Sequence, residues 1–151
     1  MMIPAHLDKL RRLEAARARL DPLDDFELWF WAGMHAGTHA VNAALHHAGL
    51  TREEASFATQ PGVYLVPRPD GPPDTAPRPL ADVLHVGRPA VPGAIPADVA
   101  ALMHAMEVIE HHRDPCVRGD RALTAAIVED CDAALRQVYR LLEARLAGAV
   151  R

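Results

Sequence analysis

Apolar and polar positions alternate along this chain with a mostly helical period. After Pro4, tolerated in a first helical turn, Leu7, Leu10, Leu13 and Leu20 recur at near-helical spacing and predict a helix from about 5 to 20. Asp21-Pro22 breaks it. Asp24 or Asp25 then caps a long helix running to about His47, and Gly49 supplies its C-terminal stop. Thr51-Arg-Glu-Glu54 has the pattern of a capping box and predicts a short helical turn. A third helix opens at Pro96 and ends near Arg113, because Pro115 cannot continue it. Its stripe is Val99, Leu102, Met103, Met106 and Ile109. Asp120 caps a fourth helix, roughly 121 to 147, with Ile127, Cys131, Ala134, Leu135, Val138, Leu141 and Leu142 on one face.

The segment 61–96 breaks the pattern. It holds 10 of the 13 prolines, which excludes regular helix. Two β-like runs lie inside it, Val63-Tyr-Leu-Val66 and Val83-Leu-His-Val86, and these can pair as a small hairpin around the loop from Pro67 to Pro79. The whole chain, 1–151, therefore predicts a single all-α domain. It is an up-and-down bundle of four main helices with a proline-rich insertion, able to hold a short β-hairpin, between the second and third.

Composition narrows the picture. Hydrophobic residues at 50% and charged residues at 24% belong to a globular chain, and only 5% aromatics favour packed helices over sheet. A net charge of -4 speaks against general DNA binding, which requires a basic face. No apolar run approaches the roughly 20 residues needed to span a bilayer, and no signal-peptide pattern precedes the first helix. Two cysteines do not make a disulfide framework. These features predict a cytoplasmic protein without membrane partners.

The candidate chemistry centres on the second helix. At about 100° per residue, His35, His39, Asn42 and His46 fall within a sector of roughly 60°. Phe30, Met34, Val41 and Leu45 cluster on the far side, so the polar stripe is expected to face something other than the main core. His35 and His39, one turn apart, can chelate one divalent ion. His46 lies about 10 Å further along the axis and is not expected to join that ion; His85 is a candidate extra ligand. Gly33, Gly37, Ala40 and Ala44 form a small-residue ridge, expected to admit another backbone closely.

Arg113 and Glu110 lie on or beside the apolar stripe of the third helix and can pair at i, i+3. Arg113 together with Arg118 can instead bind an anion. His104, Glu107 and His111 read as an ordinary polar face. Cys131 belongs to the buried face of the fourth helix.

The run Trp29-Phe-Trp-Ala-Gly-Met-His-Ala-Gly-Thr-His-Ala-Val-Asn-Ala-Ala-Leu45 resembles the aromatic-Ala-x-x-His-Ala helix of HEPN-type helical bundles. That resemblance implies an up-and-down bundle, usually dimeric, related to RNA-cleaving toxins and to nucleotide-binding or non-catalytic partners. Catalytic members carry an Arg followed a few residues later by His. Here Arg113 is followed by Asp-Pro-Cys-Val-Arg, with no histidine. A competing resemblance is to four-helix bundles of the DinB type, which place three metal-binding histidines on separate helices.

Three functions are thus expected. The first is a non-catalytic HEPN-like homodimer that binds a nucleotide or RNA end through Arg113, Arg118, His35, His39, Asn42 and His46, and needs no cofactor. The second is a metal-binding bundle or metal-dependent enzyme built on His35 and His39, taking zinc, nickel or iron. The third is a structural homodimer with the histidine stripe as its seam.

Overall fold

The computed structural model describes residues 1–55, 57–60, 63–77, 81–83, 86 and 91–148. Four helices carry the architecture: α1 (Ile3–Arg17), α2 (Phe26–His47), α3 (Ala97–Arg113) and α4 (Ala125–Gly148). α1 packs along α2, α3 packs along α4, and α2 also touches both α3 and α4. The result is an all-α bundle with α2 as its central member. None of these helices is long and apolar enough to cross a membrane.

The core is built from the predicted stripes. Phe30, Val41 and Leu45 of α2 are sealed against Val99, Leu102, Met106 and Ile109 of α3, and Cys131, Leu135, Val138 and Leu142 of α4. Burial pushes the Cys131 thiol up to about 12, so it behaves as a small apolar group. Leu7 and Leu10 of α1 pack half-buried onto this core.

Helix ends follow local chemistry, with some departures from expectation. Gly49, at φ +70, ends α2 with a paired turn: its N–H reaches the His46 carbonyl, and the Leu50 N–H reaches the Leu45 carbonyl. Thr51 does not open a helical turn, since residues 51–55 are not helical; its hydroxyl meets His46 instead. α4 begins at Ala125, capped not by Asp120 but by Thr124, whose Oγ1 accepts from the Ile127 N–H at 3.3 Å. Pro115 ends α3 as a regular helix. The chain continues through one wider π-type turn, Asp114–Arg118, because a proline without an N–H leaves the normal α ladder incomplete.

The expected small-residue ridge is a close-packing device, although what approaches is a side chain rather than a backbone. A Cβ added at Gly37 would overlap the thioether end of Met106, and one at Gly33 would lie 3.1 Å from Arg17 Nε. The Arg17 guanidinium also sits 3.9 Å from the centre of a Trp29 ring and pairs with Asp132, tying α1 to α2 and α4.

The insertion forms a three-stranded antiparallel sheet in sequence order: β1 (Phe57–Gln60), β2 (Val63–Arg68) and β3 (Gly71–Pro77). Val63–Val66 is a strand as expected, and it pairs with β1 and β3; of the second expected run, Leu84 and His85 lie outside the described residues. The prolines of β3 sit on an edge strand, where proline is tolerated. Val83 and Val86 are buried in the core outside any strand. The reason lies with Asn42, which takes both backbone polar groups of Val83.

Candidate metal centre

Apart from His35, which is exposed, the polar stripe of α2 does not face away from the molecule. It faces α1 and the segment at 81–83, and Asn42 and His46 are buried there. Asn42 is the organising residue. Its Nδ2 donates to the carbonyls of Thr38 and Val83, both at 2.9 Å. Its Oδ1 accepts from the Val83 N–H at 2.7 Å. One side-chain amide therefore docks the 81–83 segment onto α2, and this sets the neighbouring Asp82 over the next turn of the helix.

Asp82 Oδ1 is the meeting point. His46 Nε2 lies 2.9 Å from it and His6 Nε2 lies 3.3 Å from it. The α-amino group of Met1 is 2.6 Å from the same oxygen. His6, His46 and Asp82 each offer one ligating atom, and these three atoms lie within 4.8 Å of one another. Among the described residues they are the one group of three or more metal-ligating side chains gathered in this way. All three are buried.

Each imidazole is also held from behind. His46 Nδ1 meets Thr51 Oγ1 at 2.7 Å, and His6 Nδ1 meets His39 Nδ1 at 2.9 Å. The His6 ring lies 5.2 Å from both the His39 and the His46 rings. Thr51 is placed for this contact by the Gly49 turn that ends α2.

Electrostatics follow from burial and these contacts. Burial lowers the pKa of His6, and the Asp82 carboxylate only partly offsets it. Burial, with the nearby His6, Lys9 and His35, holds His39 down at about 4, so it is neutral at pH 7. Burial pushes the Asp82 carboxyl up, but hydrogen bonds from His46, His6 and the Met1 amine together outweigh it. They hold it well below the usual carboxylate range. The centre is therefore an ionised carboxylate flanked by neutral, hydrogen-bonded imidazole at His6.

The predicted site residues separate into three groups. Asn42, His46 and His39 join the buried network. His35 does not: it is exposed, with its ring 6.1 Å from that of Trp31. The metal-ligating cluster thus forms on His6, His46 and Asp82 rather than on the His35/His39 pair, and His46, expected to stand apart from any ion, is part of it. Arg113 and Arg118 lie at the α3–α4 connection, where both approach Asp114 Oδ1, at 3.2 and 3.3 Å. Arg113 thus pairs with Asp114 and not with the expected Glu110. His85 lies outside the described residues.

Two members of the cluster carried little or no sequence signal. His6 sits one residue before Leu7 and three after Ile3, on the stripe that α1 turns inward. A histidine on an otherwise apolar stripe is its one mark in the sequence. Asp82, in the proline-rich segment, has no periodic neighbour that would mark it. No protein-family model, curated protein or solved structure matches this chain.

Proposed function

We propose that this protein is a metal-binding helical bundle, holding one divalent transition-metal ion on His6 Nε2, His46 Nε2 and Asp82. The observation that carries the reading is the completeness of the surrounding shell. A ligating histidine normally gives its other ring N–H to an acceptor, which fixes tautomer and orientation. With an ion on Nε2 the ring proton of each imidazole would sit on Nδ1, and each Nδ1 has a group able to accept it: Thr51 Oγ1 behind His46 and His39 Nδ1 behind His6. The neutral state of His39 suits it to accept.

Two imidazoles and one carboxylate suit zinc or ferrous iron, and nickel is compatible with the same donors. Three protein ligands leave at least one position for water or a small ligand, as catalytic ions require and closed structural sites do not. An ion there would supply Lewis acidity to whatever binds at the open position. The chain's own residues orient the ligands and keep bulk water out.

The alternative, an anion or nucleotide site on Arg113 and Arg118, has weaker support. Asp114 already stands between the two guanidinium groups. Asn42 is engaged with both backbone polar groups of Val83.

The test is elemental analysis of untagged protein, as purified and after loading with zinc or iron(II) and dialysis. The expected content is about one ion per chain, lost in Asp82→Asn and in His6→Gln while the helical circular dichroism is retained. Wild-type protein that keeps no metal after loading would rule the reading out.

A further inference from the structure

The buried centre raises a question of access. His6 is 1% exposed, His46 7% and Asp82 6%, so a hydrated divalent ion has no direct approach to all three. Ions exchange water for protein ligands one at a time, and each step is easier where a ligand already waits. The α2 stripe supplies such steps. His39 is half-buried and touches His6 at 2.9 Å. His35, one turn toward the N-terminus of α2, is exposed and close enough to His39 to influence its charge. His35, His39 and His6 therefore lead from solvent to the buried cluster.

Resting on the metal reading above, we infer that His35 and His39 form an outer loading site, which captures a divalent transition-metal ion and passes it to His6, His46 and Asp82. The pair has the one-turn spacing that allows two imidazoles to hold one ion. It is a transit point rather than a resting place for two reasons. Two ligands hold an ion less firmly than three. The Lys9 ammonium of α1, near enough to act on His39, also opposes a lasting positive charge there. On capture a metal–imidazole bond forms as a metal–water bond breaks; on transfer a bond to His6, His46 or Asp82 forms as one to His35 or His39 breaks, with no change of oxidation state. His35 is thus assigned to the rate of metal exchange and not to the final affinity.

Cobalt(II) is a suitable probe, because its visible absorption rises when it leaves water for a low-coordinate nitrogen and oxygen site. Stopped-flow mixing of metal-free full-length protein with cobalt(II) gives the entry rate. Mixing the loaded protein with excess chelator gives the release rate. His35→Ala is expected to slow entry and release alike, by about threefold or more, with the dissociation constant unchanged. Lys9→Glu, also at an exposed position, is expected to speed entry at low salt and to lose that gain at high salt.

Entry and release rates in His35→Ala equal to those of the wild type would overturn the loading role while leaving the metal centre standing. A weaker affinity caused by faster release alone would also overturn it, since His35 would then be a resident ligand. Failure of the wild type to bind cobalt(II) at all would sink the metal centre itself, and the loading site with it.

Discussion

Asn42 holds Val83 by both of its backbone polar groups, accepting from the N–H at 2.7 Å and donating to the carbonyl at 2.9 Å. The contact spans 41 residues of sequence and takes the place of a strand ladder. It fixes Asp82 beside His46, because adjacent residues cannot move independently once one of them is pinned. Placement of the carboxylate therefore depends on an amide that would touch no ion.

Asn42→Ala should lower stability by about 2–4 kcal/mol, since it leaves the buried N–H and C=O of Val83 without partners. Metal affinity should fall as well, although no ligand is altered. Urea unfolding of the metal-free protein and metal titration of the folded variant measure the two effects separately. A variant as stable as the wild type would show that the 81–83 segment is held by other contacts.

Thr51→Val removes the hydroxyl behind His46 while keeping the side chain's shape. The metal dissociation constant should rise about tenfold, the lower end of what outer-shell losses produce, with little change in fold. An unchanged constant would mean that Thr51 plays no part in orienting the imidazole.

Acid should destabilise the metal-free protein in two stages. His6 and His39 have pKa values lowered by burial, His39 to about 4 from 6.5, so the unfolded chain binds more protons than the folded one. Their contribution is fully present above pH 6.5 and is lost as pH falls below it, for His39 down to about 4. Asp82 and Asp98 are also lowered, the latter against burial by its hydrogen bond to Arg145, and their contribution is lost below the unfolded value of 3.8. Thermal melts in chelator between pH 7.5 and 4.5 should thus show a falling Tm, with a shallower slope in His39→Gln. A Tm that stayed level, or rose, toward pH 4.5 would contradict this assignment.

Gly37→Ala tests the packing of α2 on α3. The added methyl would overlap the thioether end of Met106, which is fully buried, so the side chain must shift within the core to admit it. A net loss of about 1–2 kcal/mol is expected, the helix-propensity gain of alanine offsetting part of the overpacking. In the Gly37→Ala, Met106→Ala double variant the two losses should sum to less than their separate values. A neutral or stabilising Gly37→Ala would show that Met106 relaxes freely.

Much of the bundle could be read from periodicity alone. The stripes Val99 to Ile109 and Ile127 to Leu142 mark the buried faces of α3 and α4, because a helix returns a side chain to the same face every three or four residues. Gly49 marked the end of α2, since the turn there needs a positive φ that glycine adopts without strain. The alignment of His39, Asn42 and His46 was equally visible, being a property of one helix.

What that alignment faces is a matter of tertiary structure. The stripe meets α1, so Asn42 and His46 are buried and His39 half-buried rather than turned outward, and His6 enters the cluster from 40 residues before its partner His46. Asp82 comes from 36 residues after His46, through a segment whose proline content carries no period. Likewise Val83 and Val86 have strand-like composition, but Asn42 takes the Val83 hydrogen bonds and a strand there would have none to give at that position. Local periodicity determined which side chains share a helix face, because that depends only on helical geometry. The pairing of faces and the docking of the 81–83 segment depend on contacts between distant parts of the chain. Those contacts form the His6, His46 and Asp82 cluster only once the helices have packed.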